Sequence, residues 1–113
     1  MRLALVAAGW AWAAAIVWLS LTPSLPQVDV AYSDKFGHFA SYGLLMFWFA
    51  RLYPANRARV AYAVAFTAMG IGLEFMQAHL GYRTYEVLDM YANALGVLLG
   101  WAAALALPRA RVS

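Results

Sequence analysis

The 113-residue sequence contains no cysteine and few charged residues. The absence of cysteine excludes disulfide bridges, thiolate metal sites and a cysteine nucleophile. Charged residues make up 12% of the chain and hydrophobic residues 65%. A soluble domain typically has about 25% charged and about 45–50% apolar residues. So few polar side chains cannot cover a water-facing surface, and the composition predicts a protein embedded in lipid.

Four apolar runs are long enough to cross a membrane, because a hydrocarbon core about 30 Å thick needs about 20 helical residues. We therefore predict an all-α fold, a bundle of four transmembrane helices that forms a single domain over residues 1–113. The predicted helices cover about residues 3–22, 34–53, 60–80 and 87–107. A cleaved signal peptide is the alternative interpretation of the first run, but its apolar region would be shorter, about 7–15 residues.

The basic residues predict the orientation of the bundle. The side predicted to be cytoplasmic carries Arg2, Arg51, Arg57, Arg59, Arg109 and Arg111, and the other side carries Lys35 and Arg83. An excess of arginine and lysine marks cytoplasmic loops, so both termini are predicted to be cytoplasmic. Because the positive charges follow topology in this way, the net charge of +3 does not indicate a nucleic-acid partner.

Polar residues in the last three helices recur three or four positions apart, which places them on one face of each helix. These faces carry Asp34, His38 and Tyr42, then Glu74 and Gln77, and then Glu86, Asp89 and Asn93. Counting residues from the predicted cytoplasmic ends of the helices, at about 1.5 Å per residue, puts His38, Glu74 and Asn93 at one level, about 20–22 Å from those ends. The same counting puts Asp34, Gln77 and Asp89 a few ångströms higher.

A charged side chain at the centre of a membrane helix costs about 2.5–3.5 kcal/mol. We therefore expect the three polar faces to turn toward one another and form a pocket that opens to the outside. Below this level, Gly96 and Gly100 form a G-x-x-x-G pattern, which allows close contact between helix backbones. Packing inside the bundle is the favoured interpretation of that pattern, and a homo-oligomer through the two glycines is the alternative.

The ordered pattern Asp34-Lys35-x-x-His38-x-x-x-Tyr42, Glu74-x-x-Gln77, Arg83 and Asp89-x-x-x-Asn93-x-x-Gly96 resembles the VanZ-like family of bacterial integral membrane proteins. The resemblance covers nearly the whole chain. It implies a multi-pass protein of the bacterial cytoplasmic (inner) membrane. The founding member is associated with low-level resistance to the glycopeptide antibiotic teicoplanin, and the resemblance implies no established biochemical activity.

The favoured function is a pocket that binds or acts on a cell-envelope amphiphile: a polyprenyl phosphate, a cell-wall precursor or a lipid head group. Glu74, with Asp89 or His38, would serve as acid or base, and Lys35 and Arg83 would hold a phosphate. The remaining predicted ligand-binding residues are Asp34, Tyr42, Gln77, Glu86 and Asn93.

Whether the chain is an enzyme stays open, because it carries no nucleophile motif and no glycine-rich phosphate loop. We predict no cofactor and no metal site, since His38, Glu74 and Asp89 lack a recognisable metal-ligand spacing, although a metal site remains a minor alternative. The alternative function is a non-catalytic assembly protein whose buried polar residues only fix the register of the helices. A small transporter ranks last, because the lower halves of the helices are apolar.

The predicted orientation can be tested with reporter fusions at three positions. Fusions at Ser24 and Tyr82 should read as extracytoplasmic and a fusion at Asn56 as cytoplasmic, because the arginine-rich segments stay inside. A cytoplasmic signal at Tyr82 would contradict the orientation.

Overall fold

A computed structural model describes residues 2–21, 33–80 and 87–107 of the chain. Within these ranges the chain forms four α-helices: α1 (Arg2–Ser20), α2 (Ser33–Leu52), α3 (Asn56–His79) and α4 (Val87–Ala106). The predicted all-α, four-helix fold is confirmed. The third helix begins at Asn56 rather than near residue 60, because only Ala55, in an extended conformation, separates it from Pro54.

The second helix lies at the centre of the bundle. It packs against each of the other three helices, most extensively against α4. Its central residues Leu45, Met46, Phe49 and Ala50 have no exposed surface. Helix α2 therefore supplies the apolar core around which the other helices are arranged.

Glycines allow α2 and α4 to approach each other backbone to backbone. A Cβ on Gly96 would meet the carbonyl oxygen of Phe39, and one on Gly100 would meet the carbonyl oxygen of Gly43. Such close approach lets many weak dispersion contacts form along the helices. Both glycines of the G-x-x-x-G pattern thus lie against α2 in the same chain. Self-association through them stays a prediction, which a single chain does not test.

One end of the bundle, which we call the basic end, is held by arginines and packed aromatic rings. Arg51 donates hydrogen bonds to the carbonyl oxygens of Ala104 and Leu107, 3.4 and 3.3 Å away. Arg59 donates two to the carbonyl oxygen of Ala50, at 3.0 and 2.8 Å. These carbonyls lie at or just beyond the ends of α2 and α4, where helices leave them unpaired. The arginines predicted as topology signals therefore also cap helices.

The rings above these arginines join three helices. The cluster consists of Trp10, Phe49, Tyr53, Tyr62 and Phe66, with ring centroids 4.8 Å apart for Phe49 and Tyr62 and 5.0 Å apart for Trp10 and Phe49. The guanidinium of Arg2 lies over the Tyr53 ring, 4.7 Å from its centroid, which is within the range of a cation–π contact. Residues 2, 53 and 107 consequently lie at the same end of the bundle.

Three helices in the described part of the chain, α1, α3 and α4, are long and apolar enough to cross a membrane. Helix α2 differs because Asp34, Lys35 and Arg51 lie in its first and last turns. Its 20 residues still rise about 30 Å, and its enclosed centre needs little contact with lipid. Its role as a fourth transmembrane helix and the cytoplasmic position of the termini stay predictions.

The glycine contact between α2 and α4 predicts that Gly100→Ala destabilises the bundle. The new methyl group would press on the backbone of Gly43, and such overpacking costs about 1–3 kcal/mol. Unfolding of the purified protein in mixed detergent micelles would measure the change.

The matched control is Gly72→Ala in α3, where a Cβ meets nothing within 4 Å. Because alanine favours helix over glycine, this variant should be neutral or more stable by up to about 1 kcal/mol. Equal destabilisation by both substitutions would contradict the proposed packing.

Candidate functional site

Three side chains from three helices meet at the end of the bundle opposite the basic end. The ligand atoms of His38 on α2, Glu74 on α3 and Asp89 on α4 all lie within 4.8 Å of one another. Glu74 is 2% exposed and Asp89 has no exposed surface, whereas His38 is half-buried. The structure therefore brings together the three residues predicted to perform acid–base chemistry.

The level of Asp89 differs from the sequence-based prediction, which placed it in a layer above Glu74. The observed helix ends explain the difference. Counted from Asn56, Glu74 lies about 27 Å along α3, and counted from Ala106, Asp89 lies about 26 Å along α4. The prediction started α3 near residue 60 and so placed Glu74 too low. Asp89 also lies in the first turn of α4, where a carboxylate is favoured by the helix dipole.

Asn93 lies one helical turn below Asp89 and packs against Gly70 of α3. A Cβ on Gly70 would lie 2.5 Å from Nδ2 of Asn93 and 3.0 Å from its Cβ, so only glycine leaves room for the amide. Asn93 is 1% exposed, and its Oδ1 accepts no hydrogen bond from the residues that the structure describes. A buried acceptor of this kind costs about 1–3 kcal/mol if it stays unsatisfied.

A groove of about 280 Å³ lies beside the three-residue cluster, between α1, α2 and α3. Its wall on α1 is mainly apolar, and its other walls are polar. The lining residues are Trp12, Ala15, Ile16, Leu19, Ser20, Gly37, His38, Ser41, Tyr42 and Gln77. His38 belongs to both the groove and the cluster, and Tyr42, four residues after it on α2, also lines the groove.

Hydrogen bonds from side chains to backbone fix α1 as the outer wall of this groove. Nε2 of Gln77 donates to the carbonyl oxygen of Ser20 at 2.7 Å, and Nε1 of Trp12 donates to that of Ser41 at 3.2 Å. Farther down, Nε1 of Trp48 donates to the carbonyl oxygen of Leu5 at 2.8 Å. The sequence pattern predicted no part for α1 in the site. Only Ser20, a polar residue at the end of an apolar run, hinted at one.

Four of the predicted site residues receive no structural description of their side chains. Arg83 and Glu86 lie outside the described residues. Asp34 and Lys35 lie in the first turn of α2, but their side chains are not among those that the structure describes. Their predicted roles stay predictions. Gln77 is 6% exposed and lines the groove, but its amide nitrogen is bonded to α1 rather than turned toward Glu74.

A model of the VanZ/LLP1 family matches residues 5–108 of the chain. A curated protein of Schizosaccharomyces pombe, described as uncharacterized, is 35% identical over 85 residues. The aligned region covers 73% of this chain and 51% of the relative, so the chain spans about half the length of that protein. No solved structure matches the chain.

Long apolar helices that enclose a layer of buried polar side chains define a multi-pass helical membrane protein. Within that class, the chain belongs to the VanZ/LLP1 family, whose model matches nearly all of it. The resemblance inferred from the ordered polar residues is thereby confirmed.

The hydrogen bond between α3 and α1 predicts that Gln77→Met loosens the groove wall. Loss of the bond to the Ser20 carbonyl should lower the free energy of unfolding by about 0.5–1.5 kcal/mol, measured in detergent micelles. Met76→Leu, at the exposed neighbouring position, is the control. This substitution should change the free energy of unfolding by less than about 0.5 kcal/mol. Equal effects would show that the bond does not hold α1 in place.

Proposed function

We propose that the chain binds a phosphate-bearing amphiphile of the membrane, with the apolar tail along α1 and the head group beside His38, Glu74 and Asp89. The observation that carries this proposal is that the groove and the cluster share His38. A groove with one apolar wall and several polar groups at its other side suits a molecule that is itself divided in this way.

The apolar part of the groove supports a lipid rather than a water-soluble ligand. Ala15, Ile16 and Leu19 lie one helical turn or less apart on α1 and form a continuous wall with Trp12. Across the groove, Ser41 and Tyr42 offer hydroxyl groups and His38 offers an imidazole, all of which can bond to phosphate or sugar oxygens.

Two buried carboxylates would repel a phosphate unless a cation lies between them and the head group. Lys35, three residues before His38, and Arg83, in the segment between α3 and α4, are the sequence candidates for that cation. Glu74 and Asp89 would hold the cationic group in position, and either carboxylate or His38 would transfer a proton if a reaction follows binding.

The yeast relative favours a lipid found in both bacteria and eukaryotes. A protein of a eukaryote, Schizosaccharomyces pombe, aligns with 73% of this chain. We therefore favour a phospholipid or a polyprenyl phosphate over a cell-wall precursor. A role in the bacterial cytoplasmic membrane and in low-level glycopeptide resistance would then follow from a lipid shared with envelope synthesis.

The alternative is that the cluster only fixes the register of α2, α3 and α4 in an assembly protein. The tight fit of Asn93 against Gly70 favours this alternative, because such a fit would also set the register in a protein without a ligand.

Lipid retained by the purified protein, identified and counted by native mass spectrometry, tests the proposal. Ala15→Phe would fill the groove and should lower the retained phosphate-bearing lipid at least tenfold, or about 1.4 kcal/mol. Ala14→Phe, at an exposed position that does not line the groove, should leave it unchanged. Equal retention by the two variants would refute binding in the groove.

Glu74→Gln and Asp89→Asn separate binding from register in the same experiment. Both substitutions keep the side-chain shape, so a binding role predicts loss of lipid at an unchanged unfolding temperature. Asp29→Asn, at a carboxylate outside the ordered pattern, is the control for charge. A lower unfolding temperature of both variants, with lipid retention unchanged in the folded protein, would support the register alternative instead.

A further inference from the structure

We propose that His38, Glu74 and Asp89 bind one divalent metal ion of the Mn²⁺ or Zn²⁺ class, with Oδ1 of Asn93 as a further ligand. This inference rests on the proposed function and deepens it, because the metal would be the cation that joins the carboxylates to the phosphate. The spacing of these residues in the sequence predicted no metal site, since a site assembled from three helices has no short motif.

The donor set and its dimensions fit such an ion. One imidazole nitrogen and carboxylate oxygens suit Zn²⁺ and Mn²⁺, whereas sites for Mg²⁺ and Ca²⁺ consist of oxygen alone. Ligands that bind zinc at about 2.0–2.1 Å in a tetrahedron lie about 3.3 Å apart. The three donor atoms lie within 4.8 Å of one another, so small side-chain rotations bring them to ligand distance.

Asn93 provides an independent observation. Its carbonyl oxygen is buried and accepts no hydrogen bond within the described part of the chain. Side chains on a helix lean toward its N-terminus. Asn93 therefore points toward the level of Asp89, while Glu74, on the antiparallel helix α3, points down toward Asn93. A buried amide oxygen one helical turn from Asp89 is a suitable further oxygen ligand, above all for Mn²⁺.

The metal would also balance the charge of the site and leave room for a ligand. Two carboxylates and one divalent ion sum to zero, which removes the repulsion between the cluster and a phosphate. His38 lies on the groove side of the cluster. A coordination position on that side would stay open for a phosphate oxygen, as in metal sites that bind substrates directly.

Metal binding by the purified full-length protein tests the inference. Protein stripped with a chelator and desalted would be dialysed against Mn²⁺ or Zn²⁺ alone, and bound metal would be counted by inductively coupled plasma mass spectrometry. The wild type should bind one ion per chain. His38→Gln, Glu74→Gln, Asp89→Asn and Asn93→Ala should each weaken binding at least tenfold.

His79→Gln is the matched control, because His79 is an exposed histidine at the end of α3, outside the cluster. It should bind like the wild type. Absence of stoichiometric metal from the wild type, loss of metal on His79→Gln, or full binding by Glu74→Gln and Asp89→Asn would each overturn the site. Circular dichroism identifies variants that fail to fold, and the remaining variants then decide the question.

Retention of lipid with and without chelator separates this inference from the proposed function. If the metal holds the phosphate, chelation should lower the retained phosphate-bearing lipid at least tenfold, and Mn²⁺ or Zn²⁺ should restore it. Unchanged retention after chelation would overturn the metal role and leave the proposed function in place, with Lys35 and Arg83 as its cations. Absence of lipid under both conditions would refute the proposed function itself.

Discussion

The burial of two carboxylates side by side is the constraint on which the rest of the bundle depends. Glu74 and Asp89 have almost no exposed surface in a chain that is 65% hydrophobic. Neither can face acyl chains without a large cost. The polar faces of α2, α3 and α4 must consequently converge, and the inward orientation of each helix follows from that requirement as much as from its apolar residues.

The two ends of the bundle differ in how closely the helices are packed. At the basic end, stacked rings and arginines bonded to helix carbonyls fill the space between the helices, and the contacts there are numerous and specific. At the other end α1 forms one wall of the groove. Single hydrogen bonds such as that from Gln77 to Ser20 hold it there and leave a groove beside the cluster. The closely packed basic end thus lies opposite a half with a groove at its side, an arrangement that suits a ligand entering from one side.

Composition and helical spacing predicted the four helices and the inward polar faces, because these depend on residues within one helix. The family came instead from the resemblance carried by the order of the polar residues along the chain. Composition and spacing could not predict contacts between helices at the ångström scale. The level of Asp89 relative to Glu74 was wrong because the predicted level of Glu74 depended on where α3 begins. The contribution of α1 to the groove was missed because nothing in the sequence distinguishes Trp12, Ala15 and Ile16 from the rest of a uniform apolar run. The fit of Asn93 to Gly70 depends on the facing of two helices, which no spacing within one helix encodes.

The central position of α2 has a consequence for how the protein is made. This helix has charged residues in its first and last turns, and α4, which packs against its glycine face, is synthesised after it. At about 5–20 residues per second, roughly 50 further residues take several seconds to emerge from the ribosome. Until then α2 lacks its main partner, so the insertion machinery or α1 must shelter it during translation. The contact between α2 and α4 therefore forms only after α4 has emerged from the ribosome.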